Sequence, residues 1–357
     1  MPYLFGSIAL AGLLIFSEYG IPAMLTVNTF VGELFAFMSG FLSASNAIVF
    51  SFLMFIIILV VGWFVFRKIP VTYFFSGKQS THRHQTFKMR GWLKGISSAY
   101  VLLTFTLVVV VPFAALVIRA FSLTGDPKAD GEIFSGFKYF LEGLEYGEQD
   151  FKTTLITAPL SAVLATIIAL PIARMLAFTV KRIKYMLFVF VAMTFVIPAT
   201  IFGIGVLMIY NLPMFDAIYD TPLIIVFTYV GMFTPIAVLI LAAGMMRVGT
   251  REEFVARLHG VGNFTAYTDI FLPRIGFEFA LAFLAVLVFS MAELGATALI
   301  MPPGSSPITT GLYIMMHYGN EERVSAIALM QIMLVFIPVI MFVNVRVLLK
   351  LARRNNG

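Results

Sequence analysis

Three carboxylates lie in or beside runs apolar enough for a bilayer: Glu18 in FSEYGIP, Glu278 between Phe277 and Phe279, and Glu293 in MAELGAT. An ionisable side chain in hydrocarbon costs about 2.5–3.5 kcal/mol on insertion scales, so such a residue faces a bundle interior or a polar path. The chemistry open to Glu293 is gating beside a path, or hydrogen bonding to nearby backbone where Gly295 permits close helix approach. A second pattern suits recognition. In the polar loop 247–276, Gly260 is followed by nine residues, then Ile270, one residue, Leu272 and Pro273. The loop is long enough for a short helix, a turn and a re-entry, the shape of a docking surface. Catalytic patterns are missing. There is no H-E-x-x-H pair, no G-x-S-x-G elbow and no cysteine, and His259 and His317 stand isolated. His82 and His84 form an HxH pair without a third ligand nearby, which reads as a solvated basic loop over anionic lipid rather than a metal site. No catalytic residue, bound cofactor or metal ligand is expected.

These residues need membrane helices to position them. The chain has 357 residues, 60% hydrophobic and 12% charged, against about 25% charged in soluble domains. The net charge of +6 does not point to nucleic acid, because it segregates by membrane side. About 20 apolar residues cross a bilayer, which gives eight candidate spans: 2–17, 47–66, 98–121, 153–178, 185–209, 222–246, 277–300 and 323–349. The basic connections are 67–94, the turn at Lys181, Arg182 and Lys184, and the tail with Lys350, Arg353 and Arg354. They alternate with acidic ones at 125–150 and 210–221. Alternating spans put every basic connection on one side, so both termini and loop 247–276 are expected in the cytosol. The segment 67–97 reads as a basic cytosolic linker. Met1 to Phe16 has no basic flank or small-residue cleavage site and makes a poor signal peptide.

The segment before the linker echoes the end of the chain. Glu18 and Gly20 align with Glu293 and Gly295, and each stretch passes a polar segment before a final span. Repeats of this kind place a transport path at their interface.

The loop residues resemble the coupling-loop signature of ABC-importer permeases: Glu-Ala-Ala, three residues, Gly, nine residues, Ile, x, Leu, Pro. Ala256, Gly260, Ile270, Leu272 and Pro273 fit, whereas Phe254 and Val255 replace the usual Glu and Ala, and Glu252 and Glu253 lie just upstream. The run Ala292–Thr297, with Pro302, Pro303, Gly304, Thr309, Thr310, Leu312, Tyr313, His317, Tyr318 and Gly319, is similar to the end of ferric-iron and thiamine type permeases, many of which fuse two halves. The resemblance implies an all-α membrane protein with a six-span type I permease core at 98–357, a coupling helix in the cytosol, and a remnant of a first half at 1–66.

That resemblance further implies that ATP and Mg are bound by a separate cytosolic ATPase, since this chain has no G-x-x-x-x-G-K-[ST] loop. An extracytoplasmic binding protein would deliver substrate in a bacterial or archaeal inner membrane. The loop set expected to dock the ATPase is Glu252, Glu253, Phe254, Ala256, Arg257, Leu258, Gly260, Ile270, Leu272 and Pro273. Phe254 and Leu258 would form its apolar face, and Arg251 and Arg257 would meet acids on the partner. An amphipathic helix on lipid headgroups is the plainer alternative. The path or gate set is Glu293, Gly295, Pro198, Gly203, Pro302, Pro303 and Gly304. Gly-mediated packing is the commoner use of Gly203 and Gly205. The acidic segment 122–150 is either a solvated outer loop or a contact for the delivery protein. Two coupling loops are needed per transporter and one is present. The chain therefore pairs with a second permease half, forms a homodimer, or is a shortened fused permease. Ferric iron leads as cargo, ahead of thiamine, phosphonate or polyamine. An ion-coupled secondary carrier using Glu18, Glu278 and Glu293 is the competing class.

Overall fold

The computed structural model describes residues 12, 15, 18–41, 49–53, 56, 60, 91–121, 141–143, 145–318 and 321–355. The expected spans 2–17 and 47–66, the linker from 67 to 90 with His82 and His84, and acids such as Asp126, Asp130 and Glu132 lie mostly or wholly outside them. Every regular element among the described residues is helical.

In chain order the helices are α1 Gly20–Met24, α2 Phe30–Phe41, α3 Gly91–Phe121 and α4 Glu148–Phe178. Next come α5 Lys181–Val196, α6 Ala199–Tyr210, α7 Pro213–Tyr219 and α8 Leu223–Val248. Then follow α9 Arg251–Leu258, α10 Asn263–Arg274, α11 Gly276–Ala292 and α12 Thr297–Ile300. The last two are α13 Ile308–Tyr318 and α14 Glu321–Asn355. Four segments are long and apolar enough to span a membrane: α3, α4, α8 and residues Arg323–Leu348 of α14. The number rises to six if the bent pairs α6–α7 and α10–α11 each count as one span. The chain is a multi-pass membrane protein.

Two expected spans are interrupted. Segment 185–209 is broken at Ile197 and Pro198, both extended, with ψ of 123° and 141°. Proline lacks an N–H and forces its predecessor out of the helical region. Segment 277–300 stops at Ala292, because Glu293 is extended at ψ 132°, and resumes only as the four-residue α12. Residues 91–97, read as linker, are instead the first turns of α3.

The chain divides into two compact units. The first, 1–77 with 152–310, packs α8 against α11 and α5, and α6 against α12 and α2. On α4 a ladder of buried small residues, Ala158, Ala162, Ala165, Ala169 and Ala173, allows close helix approach. Thr157, Ser161 and Thr166 return their hydroxyls to carbonyls one turn back, and Ser161 also donates to the Val226 carbonyl of α8 at 3.3 Å. Polar groups are thereby satisfied inside the apolar layer. The helix continues through both Pro159 and Pro171. In the second unit, 78–151 with 311–357, Ala120 of α3 packs on Ala326 and Leu329 of α14, and Arg323 pairs with Glu142 at 3.1 Å.

Candidate functional site

Loop 247–276 is a built object with two faces. Helix α9 ends where Gly260 takes φ +85°. Val261 N–H then reaches the Ala256 carbonyl at 3.1 Å, and Gly260 N–H reaches that of Arg257 at 3.0 Å. Those two bonds make a Schellman cap, whose left-handed position favours glycine. The reversal starts α10, which is π-helical over Ala266–Phe271 and meets α11 at a bend of 70°. Pro273 sits in the last turn of α10, exposed, with Ile270 and Leu272 half-buried beside it.

The outer face of α9 is apolar and bare. Phe254 is 57% exposed and Leu258, one turn on, 70%. Phe264 beyond the turn is 79% exposed. Arg251 and Glu252 are exposed as well, and Ala256 is half-buried.

The inner face is ionic. Glu253, grouped by sequence with the docking residues, is instead 2% exposed and turned toward the protein. Its Oε1 accepts from Arg174 of α4 at 2.6 Å and lies 3.2 Å from Arg257. Arg257 therefore has a partner on its own helix; the expectation of a foreign acid overlooked an i,i+4 pair. Glu252 pairs with Arg274 at 2.5 Å, and Arg247, at the end of α8, pairs with Glu278. The Glu278 side chain crosses Gly244 so closely that no Cβ fits there. Arg174 was not singled out from sequence. The available signal was a lone cation in the apolar run LPIARMLAF, four residues before Phe178.

The second constellation is the break after α11. Glu293 is buried, and its carboxylate accepts from Ala296 N–H at 2.8 Å, from Thr297 N–H at 3.0 Å and from the Thr297 hydroxyl. Tyr229 Oη lies 2.9 Å from the same hydroxyl. The carboxylate thus satisfies the free N–H groups opening α12. Glu18 repeats the device. It accepts from Gly20 N–H at 3.0 Å and Ile21 N–H at 3.4 Å, at the start of α1.

The two breaks also touch reciprocally. A Cβ built on Gly295 would lie 3.5 Å from Tyr19 Cβ, and one on Gly20 would lie 3.5 Å from Leu294. The residue following each glutamate therefore rests on the glycine of the other copy, as an isologous contact requires. Gly203 of α6 closes the arrangement, since a Cβ there would come within 2.9 Å of Ala296 Cα. Pro198 starts α6 as its N-terminal cap residue. Further on, Ser305 N–H bonds to the Pro302 carbonyl at 3.1 Å. Gly304 has φ +76°, and with Pro303 before it the turn follows the type II pattern. Pro302 is buried; Pro303 and Gly304 are exposed. Among the described residues no group of three or more His, Cys, Asp or Glu is placed to hold a metal.

No family model matches the chain. It is 24% identical over 349 residues, 95% of its length, to the Fe(3+)-transport system permease protein FbpB 2 of Haemophilus influenzae, of which it covers 64%. A second relative, in Caldicellulosiruptor sp., is an ABC transporter permease protein by name; it is 26% identical over 189 residues, 48% of this chain and 63% of the relative. The chain thus spans a little under two thirds of the length of each. Among solved structures, a bacterial ABC transporter involved in the import of the acidic polysaccharide alginate superimposes with a TM-score of 0.57 at 16% identity, over 71% of this chain and 94% of the other. The chain is thus similar in sequence to proteins named as ABC-transporter permeases and shares its fold with a chain of that ABC transporter.

Proposed function

We propose that this chain is the permease subunit of an ATP-driven importer, passing substrate from an extracytoplasmic binding protein to the cytosol by alternating access. The observation that carries the reading is helix α9. It is a short helix ended by Gly260, set between α8 and α10–α11, with Phe254 and Leu258 bare on its outer face. A helix so placed fits a groove on a cytosolic ATPase, which would hold the ATP and Mg. Ile270, Leu272 and Pro273 shape the return into the membrane. The second coupling loop would come from another permease half or a second copy of this chain. The membrane is the bacterial or archaeal inner membrane, with both termini cytosolic.

Ferric iron is the leading cargo, supported by the name of the Haemophilus influenzae relative. Glu293 and Gly295 at one helix break and Pro198 at another are brought together by the packing of Gly203 on Ala296 and of Gly295 on Ala199, and this pair of breaks is our candidate gate. Pro302, Pro303 and Gly304 form a stiff turn suited to an outer contact. The reading is tested in proteoliposomes of the assembled complex, with the binding protein and radioactive ferric iron outside. Uptake should require ATP in the lumen and persist with a protonophore. Uptake without ATP that a protonophore abolishes would make the chain an ion-coupled carrier.

A further inference from the structure

The outward face of α9 explains contact with a partner but not how a displacement there reaches the membrane. The inward face supplies a connection. Arg174 lies near the end of α4, five residues before Thr179. Its guanidinium donates to Glu253 on α9 and lies 4.6 Å from the Tyr267 ring centre, 5.1 Å from that of Phe271 and 5.9 Å from that of Phe178. Tyr267 and Phe271 belong to α10, are stacked with centres 5.7 Å apart, and Phe271 is buried. One planar cation therefore bridges three helices. A guanidinium does this by pairing at its edge with a carboxylate while its face lies over aromatic rings.

We propose that Arg174 is the positioning residue that carries movement of the coupling helix α9 to the membrane helix α4. The proposal rests on the importer reading and deepens it. One feature of the pair suits a moving joint. Arg174 Nη1 and Glu253 Oε2 are both buried with no hydrogen-bond partner among the described residues. Each is the other's natural partner, because a fork-to-fork Arg–carboxylate pair uses both nitrogens and both oxygens. The joint is held by one arm, and a small rotation of α9 would close the second. A buried unmatched donor and acceptor both gain from that closure, so a push on α9 has a favoured second position that pulls on α4. Arg257 follows Glu253 as part of the same helix.

Ile167 on α4 and His259 at the end of α9 are exposed and serve as spin-label sites; the chain has no native cysteine. The distance between them is read in the full chain with its ATPase, nucleotide-free and trapped with vanadate. In the parent chain the distribution should be narrow and shift little between states, because α9 and α4 move together. In Arg174→Gln it should broaden and shift on trapping while the ATPase stays bound. Arg174→Lys, which keeps a cation but loses the planar face, should fall between and carries the comparison if the Gln variant aggregates. A distance in the variants as narrow and state-independent as in the parent would overturn the proposal. So would a parent distance that shifts on trapping as far as it does in Arg174→Gln. If the parent retains no ATPase, the importer reading fails. The nucleotide-free distributions then still decide whether Arg174 holds α9, equal widths counting against it.

Discussion

Glycine acts in two distinct ways in this chain, and substitutions separate them. Gly203 is a contact glycine, since a Cβ there would meet backbone atoms of Ala296 at 2.9 and 3.2 Å, whereas at Gly205 nothing lies within 4 Å. Gly203→Ala should destabilise the chain by about 1–3 kcal/mol through overpacking against backbone that cannot yield. Gly205→Ala should be neutral or slightly stabilising, since alanine favours a helix interior over glycine by about 1 kcal/mol. Thermal unfolding of the two variants in the same detergent checks both, and equal midpoints would contradict the packing. Glu293→Gln leaves one acceptor oxygen for N–H groups that now share two, at 2.8 and 3.0 Å. A buried donor left unmatched costs about 1–3 kcal/mol, so this variant should also melt earlier, and an unchanged midpoint would remove the capping role. Gly260 was legible from its spacing, because a turn between a short helix and a membrane re-entry needs a left-handed residue. The inward aim of Glu253 was not, since the phase of an eight-residue helix depends on where Arg174 arrives from far along the chain.

At the scale of elements, hydropathy reads apolar length and is blind to backbone torsion. Segments 185–209 and 277–300 are apolar enough on average to read as unbroken spans, yet the structure breaks them at Pro198 and Glu293. Both residues stand out in the sequence, one as a helix breaker and one as a charge, but their effect depends on neighbours able to take up the freed backbone groups. The echo between Glu18-Tyr19-Gly20 and Glu293-Leu294-Gly295 was visible as a repeat of residue types. That its copies rest on one another was not. The contact offers a direct test, because the Cβ separation of 3.5 Å between Tyr19 and position 295 falls within the range of about 3.5–4.5 Å seen in disulfides. In a chain without native cysteine, Tyr19→Cys with Gly295→Cys should lose both thiols to maleimide labelling after mild oxidation. Tyr19→Cys with Gly205→Cys should keep them. Reactive thiols in both pairs would show that the two breaks are apart. The Cβ at 295 also lies 3.1 Å from Ala199 Cβ, so a few tenths of an ångström of adjustment accompany the bond.

For the whole molecule, the helical membrane class followed from composition alone, and the comparisons agree with it. Among the described residues the number of helices crossing the bilayer did not follow, because two bent pairs can each be read as one broken span or as a re-entrant loop. Orientation is proposed from the alternation of basic and acidic connections. A reporter fused after the tail should fluoresce as a cytosolic protein and be inactive as a secreted phosphatase; the opposite pattern would invert the loop assignments and put α9 on the wrong face for an ATPase. The central claim is that α9 docks such a subunit through its bare face. The most direct measurement is purification of the tagged chain from its native cells in mild detergent, with bound proteins identified by mass spectrometry. Leu258→Asp and Gly260→Pro variants are run beside it. Leu258 is 70% exposed, so its substitution should spare the fold and still lose the partner. An ATPase subunit that accompanies the parent chain and is lost from both variants is the predicted result. A well-folded, abundant parent chain that brings no ATPase, or an ATPase retained equally by Leu258→Asp, would contradict the account.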